Sequence, residues 1–224
     1  MHLKRMNAPR TWDLPRKKTI WITKPNPGKA KELSLPLDFV LRDILGKAHT
    51  KKEVNYIVTF EEVLVNGKRK KDRRYPLSLL DILTLPKADE HYLVLVNQQN
   101  KLYLQKVSAK EAEQRLCKLT NKTVTRKGLQ LNFMDGTNLL VKKDGYKTGD
   151  TLVLGTKDNK VVEHFKLEKG ASVLLYKGKH AGIITHVENI EQDKLVFKTG
   201  NQSHQTKKSY AIVIGKEKPV IKVS

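Results

Sequence analysis

The stretch Leu37-Asp38-Phe39-Val40-Leu41-Arg42-Asp43-Ile44-Leu45-Gly46, followed by Thr50-Lys51-Lys52-Glu53 and then Val63-Leu64-Val65-Asn66-Gly67-Lys68-Arg69-Lys70-Lys71-Asp72-Arg73-Arg74, decides how this chain is read. Leu37, Val40, Leu41, Ile44 and Leu45 recur at helical spacing while Arg42, Asp43 and Lys47 fall elsewhere, so an amphipathic helix is expected to end near Gly46. Thr50 with Glu53 three residues on has the spacing of a capping box and predicts a second helix running towards Phe60. Val63 to Val65 reads as a short strand closed by Asn66-Gly67, a pair suited to a tight hairpin. Lys68 to Arg74 packs six cations around the single acid Asp72, and the reading sets this run at the hairpin tip.

Towards the start, residues 1–31 hold Lys4, Arg5, Arg10, Arg16, Lys17, Lys18, Lys24, Lys29 and Lys31 against one acid, Asp13. Pro9, Pro15, Pro25 and Pro27 with Gly28 break any long helix, and Trp12 and Trp21 are the only tryptophans. Two readings stand. The segment orders on RNA, with cations on phosphates and rings on bases, or it is a tail whose tryptophans dock on its own domain.

Beyond Pro86 the pattern turns to β. His91 to Val96 and Lys101 to Val107 read as strands, and Ser108 with Glu111 introduces one short helix. Leu129 to Phe133, a turn at Asp135-Gly136, Leu139 to Val141, Thr151 to Leu154 and Val161 to Phe165 continue a small β domain. From Lys169-Gly170 the alternation through Val173, Leu175, Ile183 and Val187, then Leu195 to Lys198 and Tyr210 to Ile214, fits a compact, strongly bent barrel.

Charge bounds the partner. The chain has 44 Lys+Arg against 23 Asp+Glu, a formal net charge of +21, which calls for a polyanion. No apolar run approaches the roughly 20 residues of a spanning helix, and Met1-His2-Leu3-Lys4-Arg5 lacks a secretory apolar stretch, so no membrane partner and a cytoplasmic location are expected. The lone Cys117 reads as a buried thiol. His180 and His186 lack a third ligand and no metal site is expected; Asp135-Gly136-Thr137 and Lys142-Lys143-Asp144-Gly145 read as turns. Neither a phosphate-cradling glycine loop nor a serine nucleophile elbow occurs, so the reading contains no catalytic residue, cofactor or small-molecule substrate.

Two local patterns carry a resemblance. Leu41-Arg42-Asp43, the helix from Thr50, Val63 to Lys68, Asp72, Tyr75-Pro76 and Asp81-Ile82 resemble the αL-motif RNA-binding domain of bacterial ribosomal protein S-four, some tRNA synthetase tails and pseudouridine synthases. That resemblance implies RNA lying across Arg42, Lys47, Lys51, Lys52, Asn55, Lys68, Arg69, Lys70 and Lys71. Gly170, Val173, Leu175, Lys177-Gly178-Lys179-His180-Ala181-Gly182 and Ile184 resemble the KOW motif. Gly182 would be its central glycine, with Lys177, Lys179 and His180 as phosphate donors.

The order of modules, opening with His2-Leu3-Lys4-Arg5, Ala8-Pro9 and Trp12, resembles the e-type small-subunit ribosomal protein four family of archaea and eukaryotes over essentially the whole chain, its length looking archaeal. The resemblance implies 16S-type rRNA and neighbouring small-subunit proteins as partners. The resulting expectation is an α+β chain: a basic extension over 1–34, an αL domain over 35–88, a β-rich domain over 89–168 and a KOW barrel over 169–224. RNA would be met by His2, Lys4, Arg5, Arg10, Trp12, Arg16, Lys17, Lys18 and Trp21, by the αL residues with Arg73 and Arg74, and by the KOW loop. The rival readings are a factor that visits RNA transiently and an RNA-modifying enzyme.

Overall fold

In the computed structural model, which describes residues 2–126, 128–142, 144–199 and 202–216, strands carry most of the fold and helices are few. Met1–Val96 with Lys101–Arg115 forms one unit, and Asn97–Asn100 with Leu116–Ser224 a second. The α+β expectation agrees with this content.

In the first unit β1 (Leu3–Lys4) pairs antiparallel with β2 (Trp21–Ile22). β3 (Ser34–Pro36) runs into α1 (Leu37–Phe39), whose helix continues as a wider π turn over Val40–Ile44, closed by the Leu45 N–H on the Val40 carbonyl at 2.9 Å. Gly46 follows at φ +63°, the left-handed turn that ends the helix where the spacing placed it. α2 (Lys51–Phe60) begins with the expected capping box: Thr50 Oγ1 accepts the Glu53 N–H at 3.3 Å and the Glu53 carboxylate accepts the Thr50 N–H at 3.4 Å. Such a cap is worth about 1 kcal/mol. Val54 and Val58, one turn apart, are buried, which leaves Lys51, Lys52 and Asn55 on the outer face.

β4 (Leu64–Val65) and β5 (Lys68–Arg69) make the hairpin, with Asn66 and Gly67 both at positive φ. β6 (Pro76–Ser78) pairs with β3, and β7 (Ile82–Leu85), β8 (Glu90–Val96) and β9 (Leu102–Val107) complete a sheet of order β5-β4-β7-β8-β9. α3 (Ala109–Ala112) opens on the Ser108–Glu111 capping box. Buried Asp81 locks the hairpin to the sheet. It accepts the Ser78 N–H at 2.6 Å, Asn66 Nδ2 at 2.8 Å and the Lys29 ammonium, while Asn66 Oδ1 accepts the Ile82 N–H at 2.9 Å. Leu35, Leu37, Phe39, Leu41, Val54, Leu77, Leu83 and Leu95 fill the core, joined by Trp12.

Two expectations are corrected here. The cut at 88/89 falls inside a sheet, because β7 and β8 pair from Ile82↔Leu93 to Leu85↔Glu90. The basic run is not at the hairpin tip: Asn66-Gly67 occupies the tip, Lys68–Arg69 form the returning strand and 70–74 follow it.

In the second unit β10 (Gln114–Thr125), β11 (Gly128–Phe133), β12 (Asn138–Val141), β13 (Thr151–Gly155) and β14 (Val161–Phe165) form a sheet of order β12-β11-β10-β13-β14 around Cys117, Leu119, Leu131, Phe133, Leu152 and Leu154. β15 (Ser172–Leu175), β16 (Ile184–Glu191), β17 (Lys194–Thr199), β18 (Gln202–Lys207) and β19 (Ala211–Gly215) form another, of order β18-β17-β16-β15-β19, bent by register shifts at Ser172/Val173 and Val187/Asn189. β10 and β18 were not anticipated.

Lys118 is buried in this unit, its Nζ donating to the Ser209 and Ala211 carbonyls at 2.6 and 2.7 Å and lying 5.4 Å over the Tyr176 ring. Burial, with Lys208 nearby, pushes its pKa down to about 8. Cys117 is buried as expected, its thiol directed at Asp135. Asp135 caps the β11–β12 turn by accepting the Thr137 N–H at 2.9 Å. In the other sequence turn Lys143 lies outside the described residues, as do 217–224 of the C-terminal segment. Among the described residues no helix is long and apolar enough to cross a membrane.

Candidate nucleic-acid interface

Within the first unit, the N-terminal segment and the helical pair share one open cavity of about 1090 Å³. His2, Arg5, Lys18, Ile20, Trp21 and Lys24 come from the segment, Arg42, Asp43, His49 and Lys51 from the end of α1 to the start of α2, and Arg73 and Arg74 from the basic run. Three stretches far apart in sequence thus meet around one groove, lined by seven Lys and Arg side chains and one carboxylate. A concave, predominantly cationic surface of this kind concentrates a polyanion.

The groove is held by a carboxylate that the sequence reading passed over. Asp38, in the first turn of α1, is fully buried; its Oδ2 lies 3.7 Å from Arg42 Nη1 and 3.6 Å from Arg73 Nη1 and accepts a short hydrogen bond from Thr23 Oγ1. Its N–H donates to the Arg73 carbonyl at 2.8 Å. One buried negative charge therefore ties all three stretches together. An acid among the apolar residues of a helix start was the available signal. Arg42 is further bound by Asp43 at 2.7 Å, and Arg74 Nε donates to the Lys24 carbonyl at 3.2 Å. Lys24 and His49 also line the groove and had not been singled out.

Several expected contacts are used for folding instead. Trp12 is fully buried, stacked on Phe39 at 5.8 Å and 20°, with the Leu102 N–H on the Thr11 carbonyl at 2.8 Å beside it, so its ring is closed to a base. Arg5 is buried and donates to the Pro15 carbonyl at 3.0 Å; Arg16 clamps the Met6, Ala8 and Pro9 carbonyls at 3.1 Å. For Trp12, the docked-tail reading is the one the geometry follows.

Lys47 is not among the side chains that line the groove and pairs with Glu90 at 2.7 Å; that hydrogen bond raises the lysine pKa and lowers the glutamate's. Arg69 donates to the Thr59 carbonyl at 2.9 Å, and half-buried Lys70 lies 4.5 Å over the Tyr75 ring, burial lowering its pKa. Lys4, Arg10, Lys17, Lys52, Asn55, Lys68 and Lys71 are exposed outside the groove.

In the second unit Lys177 and Lys179 are exposed beside Gly182, which has φ +80°. A Cβ on Gly182 would stand 2.3 Å from the Asn97 carbonyl carbon, so both the backbone conformation and the close approach demand glycine. His180 is half-buried rather than free in the loop. Its ring packs edge-on against Phe197 at 5.5 Å and lies 4.5 Å from His204, and burial, then His204 and Lys179, lowers its pKa. His186 turns elsewhere, to Ser172 Oγ at 3.2 Å, and among the described residues no cluster of metal-ligating side chains occurs.

Comparison with known proteins gives a consistent answer. Residues 88–161 match the ribosomal family S4e and residues 1–28 the RS4NT domain. The small ribosomal subunit protein eS4 of Methanococcus aeolicus is 37% identical over 236 residues, covering 98% of this chain and 96% of that protein. The Archaeoglobus fulgidus protein of the same name is 38% identical over 231 residues, covering 99% and 97%. The crystal structure of the 30S ribosomal protein S4e from Thermoplasma acidophilum superposes with a TM-score of 0.71 at 24% identity, covering 82% of this chain and 95% of that one, a likeness of fold.

Proposed function

The chain belongs to the ribosomal family S4e, and from that premise we propose that it is a structural constituent of the small ribosomal subunit, resident in the cytoplasm, that binds 16S-type rRNA and abuts neighbouring ribosomal proteins. The observation that carries the RNA assignment is the convergence of the N-terminal segment, the helical pair and the basic run on one cationic groove. Residues 1–34 and 35–88 act as one RNA-binding body in this reading: the extension supplies one wall and the αL-type helix pair and hairpin the other. In the second unit the KOW-type loop presents Lys177 and Lys179 as a further backbone contact.

Recognition by such a surface is of phosphate and RNA shape, because the groove offers guanidinium and ammonium donors. The role is structural, not catalytic. If the basic surfaces together neutralise about 10 phosphates, log affinity falls with log salt at a slope of about −7 to −9. Gradient sedimentation of a lysate at moderate and high salt tests the assignment. One copy of the chain per small subunit at both salts is the expected result; loss to the top of the gradient would instead support the transient factor or the RNA-modifying enzyme.

A further inference from the structure

Of the residues that line the groove, one large aromatic side chain is left unused by the fold. Of the two tryptophans, Trp12 is consumed by the core, whereas Trp21 is 53% exposed although its strand neighbour Ile22 is buried. Ile20 before it is 70% exposed, and the His2 ring stands 5.5 Å from the indole at 56°. All three line the cationic groove together with Lys18, Lys51 and Arg74. An exposed indole and isoleucine at the wall of a cavity lined by positive charge do nothing for phosphate binding. They cost exposure in free protein and reward only a ligand that brings a flat apolar face along with its negative charge.

A-form duplex RNA is not that ligand, since its bases are stacked on each other and it shows a protein chiefly phosphates and 2′-hydroxyls. We propose that the groove takes an unpaired segment of RNA, with one unstacked base lying on Trp21 beside His2 while the flanking phosphates meet Lys18, Lys51 and Arg74. This rests on the RNA-binding reading of the groove and adds to it the kind of RNA and the residue that selects it.

The tryptophan pair makes the test direct, because buried Trp12 is shielded and a change in emission on binding reports Trp21. The full chain is titrated with single-stranded oligoadenylate and with a fully paired RNA hairpin whose loop is a non-nucleotide linker, of equal phosphate number, over a range of salt. The single strand quenches Trp21 emission and the hairpin does not. Trp21→Ala weakens single-strand binding about 5- to 150-fold, the range for loss of one base stack, leaves the salt slope and the hairpin affinity unchanged, and Trp21→Phe recovers part of the loss. Lys51→Ala does the converse, reducing the slope by about 0.7 for a single strand. The Trp12 emission maximum, retained in Trp21→Ala, checks that the variant is folded. Binding of the single strand without quenching, or a Trp21→Ala loss equal for strand and hairpin, overturns base stacking and leaves the groove as a phosphate site. Failure of both RNAs to bind overturns the RNA reading itself.

Discussion

Replacing Trp12 by alanine decides whether the N-terminal segment is part of the folded protein before RNA arrives. The ring is fully buried and stacked on Phe39, a site where truncation removes one of the largest apolar side chains of the first unit and leaves a cavity. Losses for Trp→Ala at such sites run about 3–5 kcal/mol. The indole Nε1–H is itself buried without a hydrogen-bond partner, a defect of about 1–3 kcal/mol already carried by the native state, which places the expected loss at the lower end, about 3 kcal/mol. The same defect predicts that Trp12→Phe costs less, about 1–2 kcal/mol, because the phenyl ring keeps most of the stack and removes the orphan donor. Urea unfolding of the free chain, followed by Trp21 emission and far-ultraviolet circular dichroism, is the assay. At a slope of about 1–3 kcal/mol per molar, the alanine variant should unfold roughly 1–3 M earlier. A midpoint within about 0.3 M of the parent would show that the segment is not docked by Trp12 and orders on RNA instead.

Lys118 gives a pH signature. With a folded pKa of about 8 against an ordinary 10.5, the unfolded chain holds a proton that the native state lacks between these values, so stability rises with pH across that window, by about 3 kcal/mol in all. The stability difference between the parent and Lys118→Met should therefore climb from pH 8 to 10.5; a flat difference would mean that the two carbonyls and Tyr176 hold the charge in place. Gly182→Ala forces a side chain into positive φ and against Asn97, costing about 2–4 kcal/mol and lowering the melting temperature by roughly 10 °C; an unchanged melt would refute the close approach. Lys47→Ala, removing a lysine held by Glu90, should leave the salt slope of RNA binding untouched while Lys51→Ala reduces it, and equal effects would undo the distinction drawn between them.

What was legible in the sequence was local. Both capping boxes, the Gly46 stop and the Asn66-Gly67 turn were readable because each is specified within three or four residues. The β7–β8 pairing that carries one sheet across the expected boundary joins runs that each look like a plausible element of a separate domain, and nothing in either names its partner. β18, Gln202–Lys207, contains no apolar residue and pairs only as an edge of β17, so alternation had nothing to detect. β10 mixes Leu116 and Leu119 with Arg115, Lys118 and Lys122, and the buried Lys118 breaks the expected polar-out pattern. For the groove, charge marked the right stretches but could not sort free cations from bound ones. Arg5 and Arg16 look like phosphate ligands until their carbonyl acceptors come into view.

With the N-terminal strand pair formed, Trp12 packed and Arg16 holding its three carbonyls, the groove stands assembled in the free protein. A wrapping tail that folds on its target gives up about 2–5 kcal/mol or more of interaction energy to ordering and shows a large negative heat-capacity change on association. Here that ordering belongs to folding of the chain, so encounter with RNA is closer to the docking of a rigid mould: a modest heat-capacity change and an on-rate set by electrostatic attraction more than by a conformational search.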